Sequence, residues 1–429
     1  LLDLGRFVQG LGGALSWLAG FAWVIEETDA DRRRRAARAG RGASPRQMNR
    51  RLLTLVCVVI FIDTLFYAVL APVLPELSSE FGLNKSSAGV LVGAYAAGTL
   101  AGALPGGWAS ERFGAKPTML AAIALMTAGS ITFALADSAL LLDLGRFVQG
   151  LGGALSWLAG FAWVIEETDA DRRGEVIGFV MAAAVVGAQF GPVLGIAVDE
   201  FGRVPAFGVT VAAGLVIAAV AARMRRPTPL PKGAPPQTML ADNASLIALW
   251  LVFVAGLGFG ILEVLVPLDL GRLGAGALAI GLIFFIAAAA EAVMNPLVGR
   301  FIDRRGVERL VRWALFLGAL GMAVLATPEG IIVVAAMLAF AGVTLGALFT
   351  PGARIISRRA EALNIDQGWA GAFQNIAWAG SIAIGAVVGG AVAQAVGDGA
   401  AYALGAIAAL STGLVLLLRR PVRALRSDP

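Results

Sequence analysis

Leu141–Glu166 reads "LLDLGRFVQGLGGALSWLAGFAWVIE", an apolar run with Asp143, Arg146 and Gln149 set into its first half. A bilayer span needs ~20 mostly apolar residues, and this run is long enough. An arginine inside such a span costs about 3 kcal/mol or more unless it is paired or hydrated. The stretch therefore predicts a membrane helix whose Arg146 faces a water-filled path or a carboxylate. Asp143 lies three residues earlier on the same helical face, so it is the expected partner. By helical rise Arg146 sits ~9 Å from the outer end, so a snorkelling arginine is the structural alternative.

Composition generalises that reading. The 429 residues are 58% hydrophobic and 15% charged, with mean hydropathy +0.80. A soluble domain carries a far more charged surface, and a membrane β-barrel shows short alternating segments rather than continuous runs. The predicted class is an all-α polytopic membrane protein. Histidine is absent and Cys57 is the single cysteine. Disulfides within the chain, His-ligated metals, His-based triads and histidine proton relays are thereby excluded, and no metal site is expected. Proton chemistry near neutral pH falls to carboxylates in unusual environments. No phosphate-binding glycine loop is present, so a membrane-embedded enzyme finds no support; a non-transporting receptor is disfavoured by the charges inside the spans.

Twelve apolar segments follow Met48: about 52–74, 87–108, 118–136, 139–165, 176–198 and 205–222, then 246–267, 277–298, 310–326, 330–349, 370–396 and 400–418. Placing residues before Leu52 inside and alternating sides puts Arg112, Lys116, Arg172, Arg173, Arg223, Arg300, Arg304, Arg305, Arg354, Arg358, Arg359, Arg419 and Arg420 inside, whereas Lys85, Arg203 and Arg272 lie outside. That asymmetry follows the positive-inside rule and makes both ends of the twelve-helix core cytoplasmic. The expected organisation is an extension over 1–47, a six-helix bundle over 48–226, a Pro-rich cytoplasmic linker over 227–244, a second bundle over 245–420 and a tail over 421–429. Leu1–Arg33 repeats Leu141–Arg173 without a mismatch. The expectation there is a recent duplication or a sequence-assembly artefact, with a thirteenth helix as the topologically allowed alternative.

The halves resemble each other. "GGWASERFGAKP" after the second segment aligns with "GRFIDRRGVERL" after the eighth, pairing Gly107 with Gly299, Glu111 with Asp303, Arg112 with Arg304 and Gly114 with Gly306. Inverted or parallel repeats around a midplane site are a transporter architecture.

These residues are similar to those of the major facilitator superfamily, in its twelve-helix drug:proton antiporter branch. Gly107, Glu111, Arg112, Gly114 and Lys116 resemble its gating loop G-x-x-x-D-[RK]-x-G-[RK]-[RK], with Glu111 for the usual Asp and Ala115 for a basic residue. Arg146, Gln149, Gly150 and Gly152 resemble its fourth-helix motif, where Gly153 replaces an alanine. Gly178, Gly187, Gly191, Pro192 and Gly195 fit its fifth-helix antiporter motif, where Ile196 replaces a final glycine. Asp63 followed by Pro72 and Pro75 resembles the first helix of multidrug exporters and vesicular amine transporters.

The resemblance implies two six-helix bundles around a central cavity, gating loops that latch the halves, and Asp63, Arg146 and Glu263 on the cavity wall. Asp63 is the first choice for proton or substrate exchange and Glu263 the second, with Arg146 and Asp143 tuning them. Glu291 either joins that group or caps the loop at Asp303. Tyr67 is the favoured pocket aromatic; Trp157, Gln374 and Asn375 are weaker choices, beside Phe66, Trp250 and Trp378. The implied function is proton-coupled efflux of small lipophilic or cationic compounds such as drugs, with metabolite export as the alternative. The implied setting is a plasma (inner) membrane, prokaryotic and monomeric, with lipid, a small molecule and protons as partners, the proton gradient in place of any cofactor, and no nucleic acid.

Overall fold

A computed structural model describes residues 49–168, 172–225, 236–327, 330–363, 365 and 367–418, although the side chains of residues 174, 236, 295, 296, 303, 367 and 368 are not among them. The duplicate at Leu1, most of the Pro-rich linker, the tail and the Asp303 side chain lie outside the described residues.

Every regular element among the described residues is helical. The first half holds α1 (Arg50–Ala68), α2 (Leu70–Glu80), α3 (Lys85–Phe113), α4 (Ala115–Ala134), α5 (Ala139–Glu166), α6 (Arg173–Phe201) and α7 (Arg203–Arg223). The second holds α8 (Asn243–Arg272), α9 (Ala277–Arg305), α10 (Val307–Leu325), α11 (Ile331–Gly346), α12 (Phe349–Ala362), α13 (Gln367–Ala395) and α14 (Asp398–Leu418). Among the described residues, eleven spans are long and apolar enough to cross a membrane. The twelfth expected segment is α10, whose first two turns carry Glu308, Arg309 and Arg312.

Two breaks interrupt the helices. The first expected segment divides at Val69 into α1 and α2, and a break at Ala347–Leu348 parts the tenth, α11, from α12, a helix over the stretch expected as an inside connection. Each break lies just ahead of a proline, Pro72 or Pro351, which lacks the N–H that the carbonyl four residues earlier requires. At the first break the carbonyls of Phe66 and Tyr67, in the last turn of α1, accept from Arg146 of α5.

Lipid supplies no hydrophobic force between helices, so small residues that admit close approach decide the packing. In the first half α5 packs on α3 and α4, and α6 packs on α1; in the second α8 packs on α13, and α10 on α14. Gly150 abuts the Tyr95 carbonyl of α3, and Gly98 abuts the Phe147 carbonyl of α5, so side chains at either position would push the pair apart. The halves meet along α3 with α13 and along α6 with α9. Bulky apolar side chains such as Leu104, Ile286, Val293 and Ile332 point outward, an arrangement suited to lipid and a liability in water.

The repeat is visible in the turns. Gly114 joins α3 to α4 with φ +92°, and Gly306 joins α9 to α10 with φ +84°. Both adopt a backbone that L side chains rarely adopt, at positions the two halves share by sequence.

Candidate functional site

Asp63 lies in α1, one turn before the break. Its Oδ1 accepts from the Tyr95 hydroxyl of α3, and its Oδ2 accepts from the Trp157 indole of α5 at 2.7 Å. Gly153 lies directly beside the carboxylate, where any Cβ would collide with Oδ1. Gly153, which replaces the alanine of the fourth-helix motif, thus clears the space that Asp63 occupies. Gly152 does the same toward Met126 and the Ala122 carbonyl of α4.

Arg146 is 1% exposed. Its guanidinium donates to the carbonyls of Phe66 and Tyr67 in the last turn of α1 and to Gln149 Oε1 at 3.1 Å. Its charge also stacks over the Tyr95 ring, 4.6 Å from the centroid, a cation–π contact that gains strength when desolvated. Gln149 in turn donates to Ser130 at 3.2 Å. This corrects the expected pairing with Asp143: Asp143 is half-buried and makes no hydrogen bond or ion pair with Arg146. The i,i+3 spacing is right, but the carbonyls near the α1 break offer acceptors on the opposite side. The snorkelling alternative is excluded by the same contacts.

Tyr67, one turn beyond Asp63, crosses to the other half and donates its hydroxyl to Glu263 Oε1 of α8. Its ring packs on Tyr95 with centroids 5.9 Å apart. Asp63, Tyr95, Tyr67 and Glu263 therefore form a chain across the midline, with Arg146 within electrostatic reach of all four. Glu291 of α9 lies against Gly346 of α11, about 18 Å along its helix from residue 303. It faces the bundle, within electrostatic reach of Tyr67, and is too far to cap the loop.

Other expected lining residues lie elsewhere. Phe66 is buried against Phe207 of α7, and Trp250 donates to Thr412 of α14 at 3.2 Å. Trp378 packs between Phe259 and Phe349. Gln374 and Asn375 are half-buried on α13 and take no part in the hydrogen bonds around Asp63 or Glu263.

The inner ends of α3 and α13 are joined by the gating loop. Trp369 of α13 donates its indole N–H to Glu111 at 3.1 Å, and its ring lies over Gly107. Lys116 donates to the Ala222 carbonyl at 2.8 Å, closing the C-terminus of α7. Arg112 and Arg304 are exposed, and Gly299 has open space where a Cβ would stand. The two loops share a backbone turn but not a contact: only the first has a tryptophan against its glycine.

The fifth-helix motif seats α6 on α1 and α2. Gly187 meets the Phe61 carbonyl, Gly191 meets Ala68, and Gly195 meets Pro72 and the Val69 carbonyl, so the motif embraces the α1 break. Gly178 has open space instead and takes no part. Ile196, which replaces a family glycine, fits over Gly281 of α9. The missing glycine has moved to the facing helix.

An outer cluster was not foreseen. Lys85 of α3 bonds Asp398 at 2.6 Å, Asp398 bonds Arg272 at 3.0 Å, and buried Asp269 accepts from Arg272 and from Tyr402 at 2.8 Å. Lys85 and Arg272 read as ordinary loop charges in sequence; only the positive-inside count had flagged them as the exceptions outside.

A family model described as Major Facilitator Superfamily matches residues 56–253 and again residues 248–429. The chain belongs to this superfamily. Its relatives include the human synaptic vesicular amine transporter, 30% identical over 168 residues, which are 38% of this chain and 33% of that protein. They also include the Escherichia coli multidrug resistance protein MdtL, 29% identical over 122 residues, 28% of this chain and 31% of MdtL. The chain thus aligns with about a third of the length of each of these curated relatives. Among solved structures, a D-xylose–proton symporter superposes with TM-score 0.69 at 16% identity, covering 87% of this chain and 98% of that one. The helical facilitator fold is common to both. As a member of this superfamily the chain is an integral membrane protein, and Asp63, Tyr67, Arg146, Trp157 and Glu263 converge at the boundary of its halves.

Proposed function

We propose that this facilitator is a proton-coupled exporter of small lipophilic or cationic compounds. The observation that carries the reading is the pair of carboxylates, Asp63 and Glu263, bridged by Tyr95 and Tyr67 at the boundary of the two halves. In this reading one carboxylate of the pair holds either a proton or a cation. Aromatic faces beside it suit a lipophilic cation, and Tyr67, Tyr95 and Trp157 supply them. A proton entering from outside neutralises the carboxylate; the cation displaces that proton from inside. The two species exclude one another, and that exclusion couples their fluxes.

The names of the amine transporter and MdtL agree with a cationic or drug-like cargo. Arg146, the natural anchor for an anionic metabolite, is already engaged by two carbonyls, Gln149 and the Tyr95 ring, which disfavours the metabolite reading. The driving force in this reading is the proton gradient across a prokaryotic plasma membrane, and the unit is a monomer without cofactor.

The test is uptake of tetraphenylphosphonium or ethidium into proteoliposomes under an imposed pH gradient. Accumulation against the gradient of the dye is expected in the wild type and should collapse when the pH gradient is dissipated. Accumulation that persists in the double variant Asp63→Asn, Glu263→Gln sinks the carboxylate mechanism.

A further inference from the structure

Asp63 and Glu263 are not equivalent. Asp63 is 3% exposed, and both its oxygens are bonded within its own half, to Tyr95 and Trp157. Gly153 closes the remaining approach to Oδ1. A cation reaching this carboxylate must compete with two hydrogen-bond donors already in place.

Glu263 differs on each count. It is half-buried, and only one of its oxygens accepts a hydrogen bond among the described residues. That bond comes from Tyr67, in the opposite half. The ionisable groups acting on Glu263 are Tyr67 of α1 and Arg146 of α5, and Glu291 of α9 acts on Tyr67. Helices α11 and α13, which also pack on α8, carry no ionisable side chain. Tyr95 of α3 also acts on Tyr67. The groups of α2 and α14, Glu76, Glu80, Asp398 and Tyr402, belong to the outer end, as do Lys85 of α3 and Asp269 and Arg272 of α8 itself; Glu111 and Arg112 of α3, Arg300, Arg304 and Arg305 of α9, and Arg354, Arg358, Arg359 and Glu361 of α12 belong to the inner end.

We propose that Glu263 is the exchange carboxylate and that its bond to Tyr67 is the switch that closes the empty carrier, while Asp63 is a fixed structural group. This assignment rests on the exporter reading above. A bond between the halves exists only while they are close, and rocking of one half against the other must break it. A ligand shifts such an equilibrium only through interactions that differ between the states. A proton or cation on Glu263 takes the place of the Tyr67 hydroxyl, so its binding releases the closed state directly. A bond from a hydroxyl to a carboxylate is stronger than one to the neutral acid, so protonation loosens the closure. When a cation then arrives, the carboxyl proton leaves to water on the side to which the cavity opens.

The test uses the full chain in lipid nanodiscs with spin labels at Ser79→Cys and Leu273→Cys, at the outer ends of the two halves, in a Cys57→Ala background. Interspin distances are read between mildly acidic and mildly alkaline pH. The wild type is expected to open at acidic pH, and Glu263→Gln to be open and insensitive to pH. Tyr67→Phe is expected to shift the open-to-closed ratio by about tenfold at alkaline pH, whereas Asp63→Asn keeps the pH response. Loss of the response in Asp63→Asn but not in Glu263→Gln overturns the assignment, and so does a wild type whose distances ignore pH. Proton release on adding tetraphenylphosphonium is measured on the same samples. If the wild type releases none while its pH response follows Glu263, the switch stands and the exporter reading falls.

Discussion

Trp369 of the second half roofs Gly107 of the first and hydrogen-bonds Glu111 at 3.1 Å. One residue of α13 thereby touches the first glycine and the carboxylate of the gating motif. The glycine admits the ring, and the carboxylate, which stands where the family has a shorter one, reaches the indole.

This contact predicts a gating phenotype for Gly107→Leu. A Cβ at Gly107 would stand 3.1 Å from the Trp369 ring, so a larger side chain must displace the indole and break its bond to Glu111. Overpacking of this kind costs about 1–3 kcal/mol, which moves the ratio of inner-closed to inner-open states by about tenfold. A cysteine reporter at Gly371, on the same end of α13 as Trp369, should label correspondingly faster from that side. An unchanged labelling rate would show that Trp369 does not hold the inner ends together.

The glycines of the fifth-helix motif are predicted to differ in tolerance. Gly191 lies over Ala68, where a Cβ would come within 2.8 Å of backbone carbon, and backbone cannot swing aside as a side-chain tip can. Gly191→Ala should destabilise by about 1–3 kcal/mol. Gly178 has nothing within 4 Å, so Gly178→Ala should be neutral or stabilising by up to about 1 kcal/mol from helix propensity alone. Melting of the detergent-solubilised protein, followed by tryptophan fluorescence, ranks the two. The reverse order would mean that the motif packs against another surface.

At the outer face, Lys85 is the only member of the ionic cluster contributed by the first half: its 2.6 Å bond to Asp398 ties α3 to α14. The side chains are partly exposed, 28% and 10%, so the pair contributes at most about 1 kcal/mol. Lys85→Met should raise outer-face opening by no more than about fivefold, as read by spin-label distances between Ser79 and Leu273. Added salt should reproduce part of the effect in the wild type and none in the variant, because screening acts only where the charge remains. Equal salt sensitivity in both proteins would assign the closure to the apolar contacts nearby.

The sequence revealed the charged members of the site because charge inside an apolar span is costly and conspicuous. Asp63, Arg146 and Glu263 stood out on that ground, and Tyr67 and Trp157 followed from their position beside them. Tyr95 was invisible by the same logic: a tyrosine in an apolar helix reads as packing, and its hydroxyl bond to Asp63 spans helices separated in sequence. The pairing of Arg146 with Asp143 failed because spacing rules see side chains and not the carbonyls near the break before Pro72. Ile196 looked like a loss from the motif, whereas the compensating Gly281 lies on a helix that no local pattern connects to it. The register of the two halves, by contrast, was legible, because Gly114 and Gly306 mark the same left-handed turn.

The last prediction concerns acid. Asp242 caps α8 by accepting from the Ser245 backbone at 2.9 Å, and Arg359 of α12 donates to both its oxygens at 3.0 and 2.6 Å. Partial burial alone would push its carboxyl up, but the bonds from Arg359 and Ser245 outweigh that and hold it below the ordinary aspartate value. The group is therefore charged in the folded chain at a pH where it would take up a proton once unfolded. Its contribution to stability is complete above the unfolded value of about 3.9 and is lost as pH falls through the lower folded value. Met239, fully buried against α12 and α13 just before Asp242, anchors the same turn by apolar contact and is indifferent to pH. Melting temperature in detergent should thus fall on acidification below about pH 4, and part of that fall should be missing in Asp242→Asn, which is already less stable at neutral pH. If Asp242→Asn loses stability on acidification in parallel with the wild type, the bond between Asp242 and Arg359 is not what holds the linker to the second half.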